Sequence, residues 1–207
     1  MSVVKQLLIA SVAEVDAFAE RAHLGQKRLS GRDYINHPRE MRKRAEELGY
    51  GDSTQRELLL HDTVEDTKTQ AQDLRSLGVP EAETQRILLL SHARGLHRRL
   101  YIPNYIVRIM ESDIDASEDK LFDLEHNLDT EQLTSEALTA KPSRVEKVGV
   151  QWQALDMLMG AVEQERPESA IVHDLKDRIA RGIIAINFEL TPVSTLPDYN
   201  FRYLQAA

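Results

Sequence analysis

The chain has 207 residues, with 34 Asp and Glu against 26 Lys and Arg for a formal charge of −8, 42% hydrophobic residues and no cysteine. That length allows one larger domain or two small ones, and the average apolar and charged fractions exclude disordered, collagen-like and repeat-array chains. Lack of cysteine excludes disulfide scaffolds, thiolate metal sites and cysteine nucleophiles and fits a reducing, cytoplasmic setting, while the acidic balance opposes a nucleic-acid backbone as the main partner.

No run of 18 apolar residues is present, so no membrane span is expected. The short apolar start is followed at once by Glu14, Asp16 and Glu20, which disfavours a secretory leader and reads as mature protein. Val12, Val15, Phe18, Ala19 and Ala22 then recur at three- and four-residue steps, predicting an amphipathic helix that ends near Gly25. A polar loop to Asn36 follows. Pro38 suits the first turn of a second helix, stopped by Gly49 and Gly51. Within it, Arg39 to Arg44 has the charge pattern of a solvated face. Thr54 with Glu57 has capping-box spacing, predicting a third helix that runs through Leu58, Leu59 and Leu60 into His61-Asp62-Thr63-Val64.

Thr69 is placed as the cap of a short helix ended by Gly78, and Pro80 starts another that reaches Leu90. A basic connection leads to helices over 101–111 and 116–128. The closing helices fall at about 144–189, with Pro167 between them, before an extended tail over 190–207. No strand pattern or internal repeat is evident. The expectation is an all-α single domain over 1–207: a helical bundle with additional C-terminal helices.

One segment stands apart chemically. His61-Asp62-Thr63-Val64-Glu65-Asp66-Thr67 follows three leucines, so an apolar helix runs directly into a cluster of ionisable groups. On a continuous helix His61 and Glu65 lie four apart, as do Asp62 and Asp66, so all four share one ribbon. Carboxylates this close repel unless a cation compensates, and mixed imidazole and carboxylate ligands suit Mn²⁺, Fe²⁺ or Zn²⁺. A solvated helix end with a capping Asp is the alternative from local sequence alone. His37, held between Ile35 and Pro38, and Asp123 with Asn127 four residues on, supply further groups of the same kind.

These segments together resemble a known family. His37, His61-Asp62 and Asp123 are similar to the H…HD…D signature of HD-domain metal-dependent phosphohydrolases. Ala22 to Arg28, Tyr34-Ile35-Asn36-His37-Pro38, Leu59 to Thr67 and Lys120 to Asn127 resemble the hydrolase half of the RelA/SpoT enzymes and the small alarmone hydrolases. The likeness covers about 12–128, and the roughly 80 residues beyond it leave no expected room for a synthetase half.

The resemblance implies an HD-type fold and one divalent metal on His37, His61, Asp62 and Asp123. Mn²⁺ comes first, with Fe²⁺, Zn²⁺ and Mg²⁺ as alternatives. It further implies that Glu65 and Asp66 orient or deprotonate water, that Arg28 and Asn127 contact a nucleotide, and that Lys27 and Tyr34 wall its pocket. The implied reaction removes pyrophosphate from the 3′ position of (p)ppGpp. Two positions depart from the pattern: Leu29 and Leu124 stand where the alarmone hydrolases carry bases, and Arg94 is the candidate to restore that charge. A segment from Leu90 to Ile109 also resembles a broader group of small bacterial HD hydrolases. Phosphohydrolysis of another nucleotide, and a regulatory nucleotide-binding protein without turnover, therefore stand as alternatives. A homodimer through the C-terminal helices is a further expectation.

Overall fold

In the computed structural model, residues 9–28, 30–92, 101–129 and 142–181 are described. Ten α-helices are assigned among them. α1 is Val12–Ala22, α2 Asn36–Glu47, α3 Asp52–Leu60, α4 Thr63–Asp66, α5 Ala71–Leu77 and α6 Glu81–Leu90. A π-helical stretch, Ile102–Ile106, leads into α7 Val107–Ser112, followed by α8 Ile114–Asp129, α9 Pro142–Glu165 and α10 Ala170–Ala180. The described residues contain no strand beyond an isolated bridge between Lys27 and Asp33. The all-α expectation holds. No described helix is long and apolar enough to cross a membrane.

The chain divides into two compact units between Arg94 and Gly95. In the first, α3 is the central helix and packs against α1, α2 and α6. Leu58, Leu59 and Leu60 are all fully buried, which requires apolar cover on every side of its last turn. Each such leucine contributes about 1.5–3 kcal/mol of burial. Arg56 and Glu57 are buried on the same helix. Unpaired, either charge would be strongly destabilising, but α6 supplies both partners. Arg56 makes a two-pronged pair with Glu83, at 2.8 and 2.6 Å, and Arg86 bonds Glu57 at 2.6 Å. Apolar contact and a polar lattice thus fix α6 against α3.

The caps correct several expectations. Ser11 and Glu14 form a reciprocal capping box on α1, whereas Thr54 lies inside α3, whose N-cap is Gly51. Glu57 serves Ser53 and Arg86 instead. Gln70, not Thr69, caps α5 with Asp73, because Thr69 is bonded to the Thr67 hydroxyl. α2 begins at Asn36, so His37 lies in its first turn rather than before it. Its Arg39 pairs with Asp16 and Glu20, and Met41 is buried, so this stretch joins α2 to the unit rather than facing only water. Gly78 ends α5 at φ +98, a left-handed position that glycine adopts without strain.

In the second unit, α8 packs along α9 and against α7 and α10. Phe122, Leu121, Leu124, Leu155, Leu158 and Leu175 are buried. The expected helix over 101–111 is divided: its first turn is π-helical around Pro103, whose ring nitrogen has no N–H to donate. α10 ends at Ala180, and the expected extended tail over 190–207 lies outside the described residues.

Candidate active site

The continuous helix through His61-Asp62 is not formed. α3 ends at Leu60 and α4 restarts at Thr63. Side chains supply the reason by taking main-chain carbonyls at the break. His61 Nδ1 lies 2.8 Å from the Leu58 carbonyl, and the Thr63 hydroxyl donates to the Leu60 carbonyl at 2.7 Å. A carbonyl only accepts, so Nδ1 of His61 carries the proton and Nε2 presents a lone pair. The one-turn α4 then offers Glu65 and Asp66 in a direction that a straight helix could not.

His37 and His61 are 2% and 3% exposed, so both imidazoles are held away from bulk water. Their rings meet edge-on at 5.2 Å between centroids, with ring nitrogens within 4.8 Å of each other. Oδ2 of Asp62 is 3.0 Å from His61 Nε2 and 3.7 Å from His37 Nε2. A carboxylate oxygen facing an imidazole lone pair at 3.0 Å is repulsive unless a cation lies between them. Neutral imidazole and carboxylate are also ligands for borderline divalent ions, so this donor set fits a metal. Three of the four expected ligands are therefore brought together by the first unit alone.

Tyr34, expected at the pocket wall, is not among the residues that line the cleft beside Asp66 and instead meets two carboxylates. Its hydroxyl donates to Asp62 Oδ2 at 2.6 Å and lies 3.1 Å from Asp66 Oδ2, joining one of the expected ligand carboxylates to one of the expected bases. Its ring stacks on His23 at 4.8 Å, and the Arg28 guanidinium sits 5.9 Å from its centroid. His23 continues outward to Gln26, whose amide donates to the Asp66 carbonyl at 2.8 Å. Glu65 is approached from another side. Its Oε2 accepts from the His92 backbone N–H at 3.0 Å, and its Oε1 lies 3.1 Å from His92 Nδ1. Neither His23 nor His92 is identifiable by sequence spacing, since each reaches the site only through the fold.

A cleft of about 680 Å³ beside α4 is lined by Phe18, Arg21, Gln26, Asp66, Lys68 and Thr69, among others. Lys27, expected at the pocket wall, makes an exposed ion pair with Asp33 at 2.6 Å. Leu29 and Arg94 lie outside the described residues.

Asp123 belongs to the second unit, on α8. Lys120 donates to its Oδ2 at 2.5 Å and the Asn127 amide to its Oδ1 at 2.7 Å, so Asn127 orients a carboxylate. Burial pushes the Lys120 ammonium down, but the Asp123 carboxylate, with Tyr101 and Tyr105, outweighs it and holds the pKa well above the ordinary lysine value. Lys120 also sits 5.1 Å from the centroid of the Tyr105 ring. Leu124 is fully buried and Glu125 pairs with Arg178 of α10. The departure from a basic residue at 124 therefore has a packing explanation within this unit.

Among the described residues, two buried imidazoles thus lie beside Asp62, with Glu65 and Asp66 three and four positions further on. The fold is shared with a solved structure described as a metazoan ortholog of SpoT that hydrolyzes ppGpp and plays a role in starvation responses. The TM-score is 0.62 at 19% identity, over 88% of this chain and 99% of the other. In sequence, 57 residues are 53% identical to a GTP pyrophosphokinase of Streptomyces coelicolor and 49% identical to one of Streptomyces antibioticus. That stretch is 28% of this chain and spans only 7% of either relative. No family model matches the chain.

Proposed function

We propose that this chain is a metal-dependent nucleotide phosphohydrolase that removes pyrophosphate from the 3′ position of (p)ppGpp. The observation that carries the reading is the convergence of His37, His61 and Asp62, with Tyr34 tying Asp62 to Asp66. The SpoT ortholog's fold and the local identity to the two pyrophosphokinases support the alarmone as substrate. Asp123 is the proposed fourth ligand. Mn²⁺ is the proposed ion, and the cytoplasm the proposed setting.

When bound, a divalent ion would supply charge to the phosphate oxygens and lower the pKa of water. The protein's own groups do the rest. His61 is fixed as the Nδ1–H tautomer by the Leu58 carbonyl, so its Nε2 faces the ligand position throughout. Glu65 and Asp66 accept the proton lost as water oxygen bonds to the phosphorus attached at O3′. The O3′–P bond breaks with its electron pair going to O3′, which takes up the proton the carboxylates had accepted, giving GDP and free pyrophosphate from ppGpp and water. Arg28 and the cleft cations Arg21 and Lys68 are proposed to meet the nucleotide's charge.

The test is pyrophosphate release from ppGpp by Mn²⁺-loaded protein, run beside a panel of ordinary nucleotides. Release of pyrophosphate and GDP in equal amounts is expected. Turnover of another nucleotide with ppGpp untouched would move the substrate assignment. Metal uptake without turnover of any nucleotide would point to a sensor.

A further inference from the structure

We infer that His92 is a positioning residue for Glu65, an assignment that rests on the hydrolase reading above. A single helical turn cannot hold its side chains in place, because so short a helix is not stable on its own. α4 has four residues, and its two carboxylates are anchored separately. Asp66 is tied to Tyr34 and, through its carbonyl, to Gln26. Glu65 is held by His92, which reaches both oxygens of the same carboxylate from a position 27 residues further on.

Rigidity reaches His92 from the core. α6 is fastened to α3 by Arg56–Glu83 and Arg86–Glu57, and its Ile87 and Leu90 are buried. Ser91 closes the helix, its hydroxyl donating to the Ile87 carbonyl at 3.0 Å. The next residue is His92. Its backbone N–H and ring Nδ1 therefore leave the end of a fixed helix as two prongs, at 3.0 and 3.1 Å from Oε2 and Oε1 of Glu65. Glu65 is 16% exposed at its side chain and His92 27%, as suits a pair at the edge of a working site rather than in the core.

The backbone prong survives any substitution, so the ring is the part to remove. His92→Ala is expected to lower kcat on ppGpp about 10- to 100-fold, the usual loss when a partner that orients a reacting group is removed. KM and Mn²⁺ affinity should stay within about twofold of wild type. His92→Asn places its amide N–H where Nδ1 stands and should recover most of the rate. In a Glu65→Gln background, His92→Ala should cost little further.

Equal losses in the Ala and Asn variants, an undiminished loss in the Glu65→Gln background, or an unchanged kcat would each overturn the inference. Nitrogen NMR of the His92 ring in substrate-free protein tests the contact itself. Nδ1 should carry a proton in the wild type and shift on Glu65→Gln, and an unprotonated Nδ1 facing Glu65 overturns the inference without any turnover measurement. Absence of turnover by the wild type on every nucleotide would instead sink the hydrolase reading, with the NMR contact intact.

Discussion

Tyr34→Phe isolates the hydroxyl that joins Asp62 to Asp66. The substitution removes one oxygen, 2.6 Å from Asp62 Oδ2 and 3.1 Å from Asp66 Oδ2, and leaves the ring. The ring's contacts should persist: the stack on His23 at 4.8 Å, the edge contact with His37 at 6.0 Å and the Arg28 guanidinium at 5.9 Å. A hydrogen bond to a charged group contributes about 1.5–3 kcal/mol. Here Asp62 keeps 18% of its side-chain surface exposed, so water takes up part of the loss. A net effect of about 2 kcal/mol follows, or roughly 30-fold. It should divide between the two carboxylates: weaker Mn²⁺ binding through Asp62 and slower turnover through Asp66. Titration calorimetry with Mn²⁺ and steady-state kinetics on ppGpp measure the two shares, with circular dichroism confirming the fold. Values within threefold of wild type for both would refute the bridging role. A rise in KM alone would return Tyr34 to the pocket wall.

His61→Ala and Asp62→Ala should lose metal and activity together, read by metal analysis and phosphate release. Glu65→Gln with Asp66→Asn should retain metal while turnover falls by about two orders of magnitude or more, consistent with loss of a general base. Glu83→Leu leaves Arg56 buried without its two-pronged partner and should destabilise the fold by about 3–5 kcal/mol in urea titrations, much of it regained on adding Arg56→Met. Gly78→Ala forces a side chain onto φ +98 and should cost about 1 kcal/mol, seen as a melting temperature a few degrees lower. Arg75 holds the Glu81 carboxyl at about 2, below its ordinary 4.5. A depressed carboxylate pKa stabilises the fold above the unfolded value and loses that contribution as pH falls towards 2. Arg75→Gln should therefore flatten the acid limb of stability between pH 4.5 and 2.

The apolar run Leu58-Leu59-Leu60 beside His61-Asp62 marked a candidate site, but local sequence alone fits a solvated helix end equally well, and the segments around His37 and Asp123 were needed to favour it. The helix classes were legible from periodicity and from Gly49, Gly78 and Pro80. Direction was not. The Thr63 hydroxyl and the His61 ring divert two carbonyls and break the helix, yet spacing of three and four residues fits an unbroken helix equally well. The alternative of a solvated end fails because His37 and His61 are buried. Thr54 and Thr69 were misassigned as caps for a common reason: local spacing cannot reveal that a hydroxyl or its partner is engaged elsewhere. His92 lies in the Leu90 to Ile109 stretch that resembles small HD hydrolases, but its part was illegible because its partner lies on another helix.

The ion pair between Glu125 and Arg178 limits how far this polypeptide can be trimmed. Glu125 lies two residues beyond Asp123 and is almost fully covered, while its counter-charge comes from α10, more than fifty positions downstream. A fragment cut after the residues that resemble the hydrolases would keep the acid and discard its base. The motif alone is therefore not a portable cassette: a graft onto another helical scaffold must bring along α10 or give up the charge at 125.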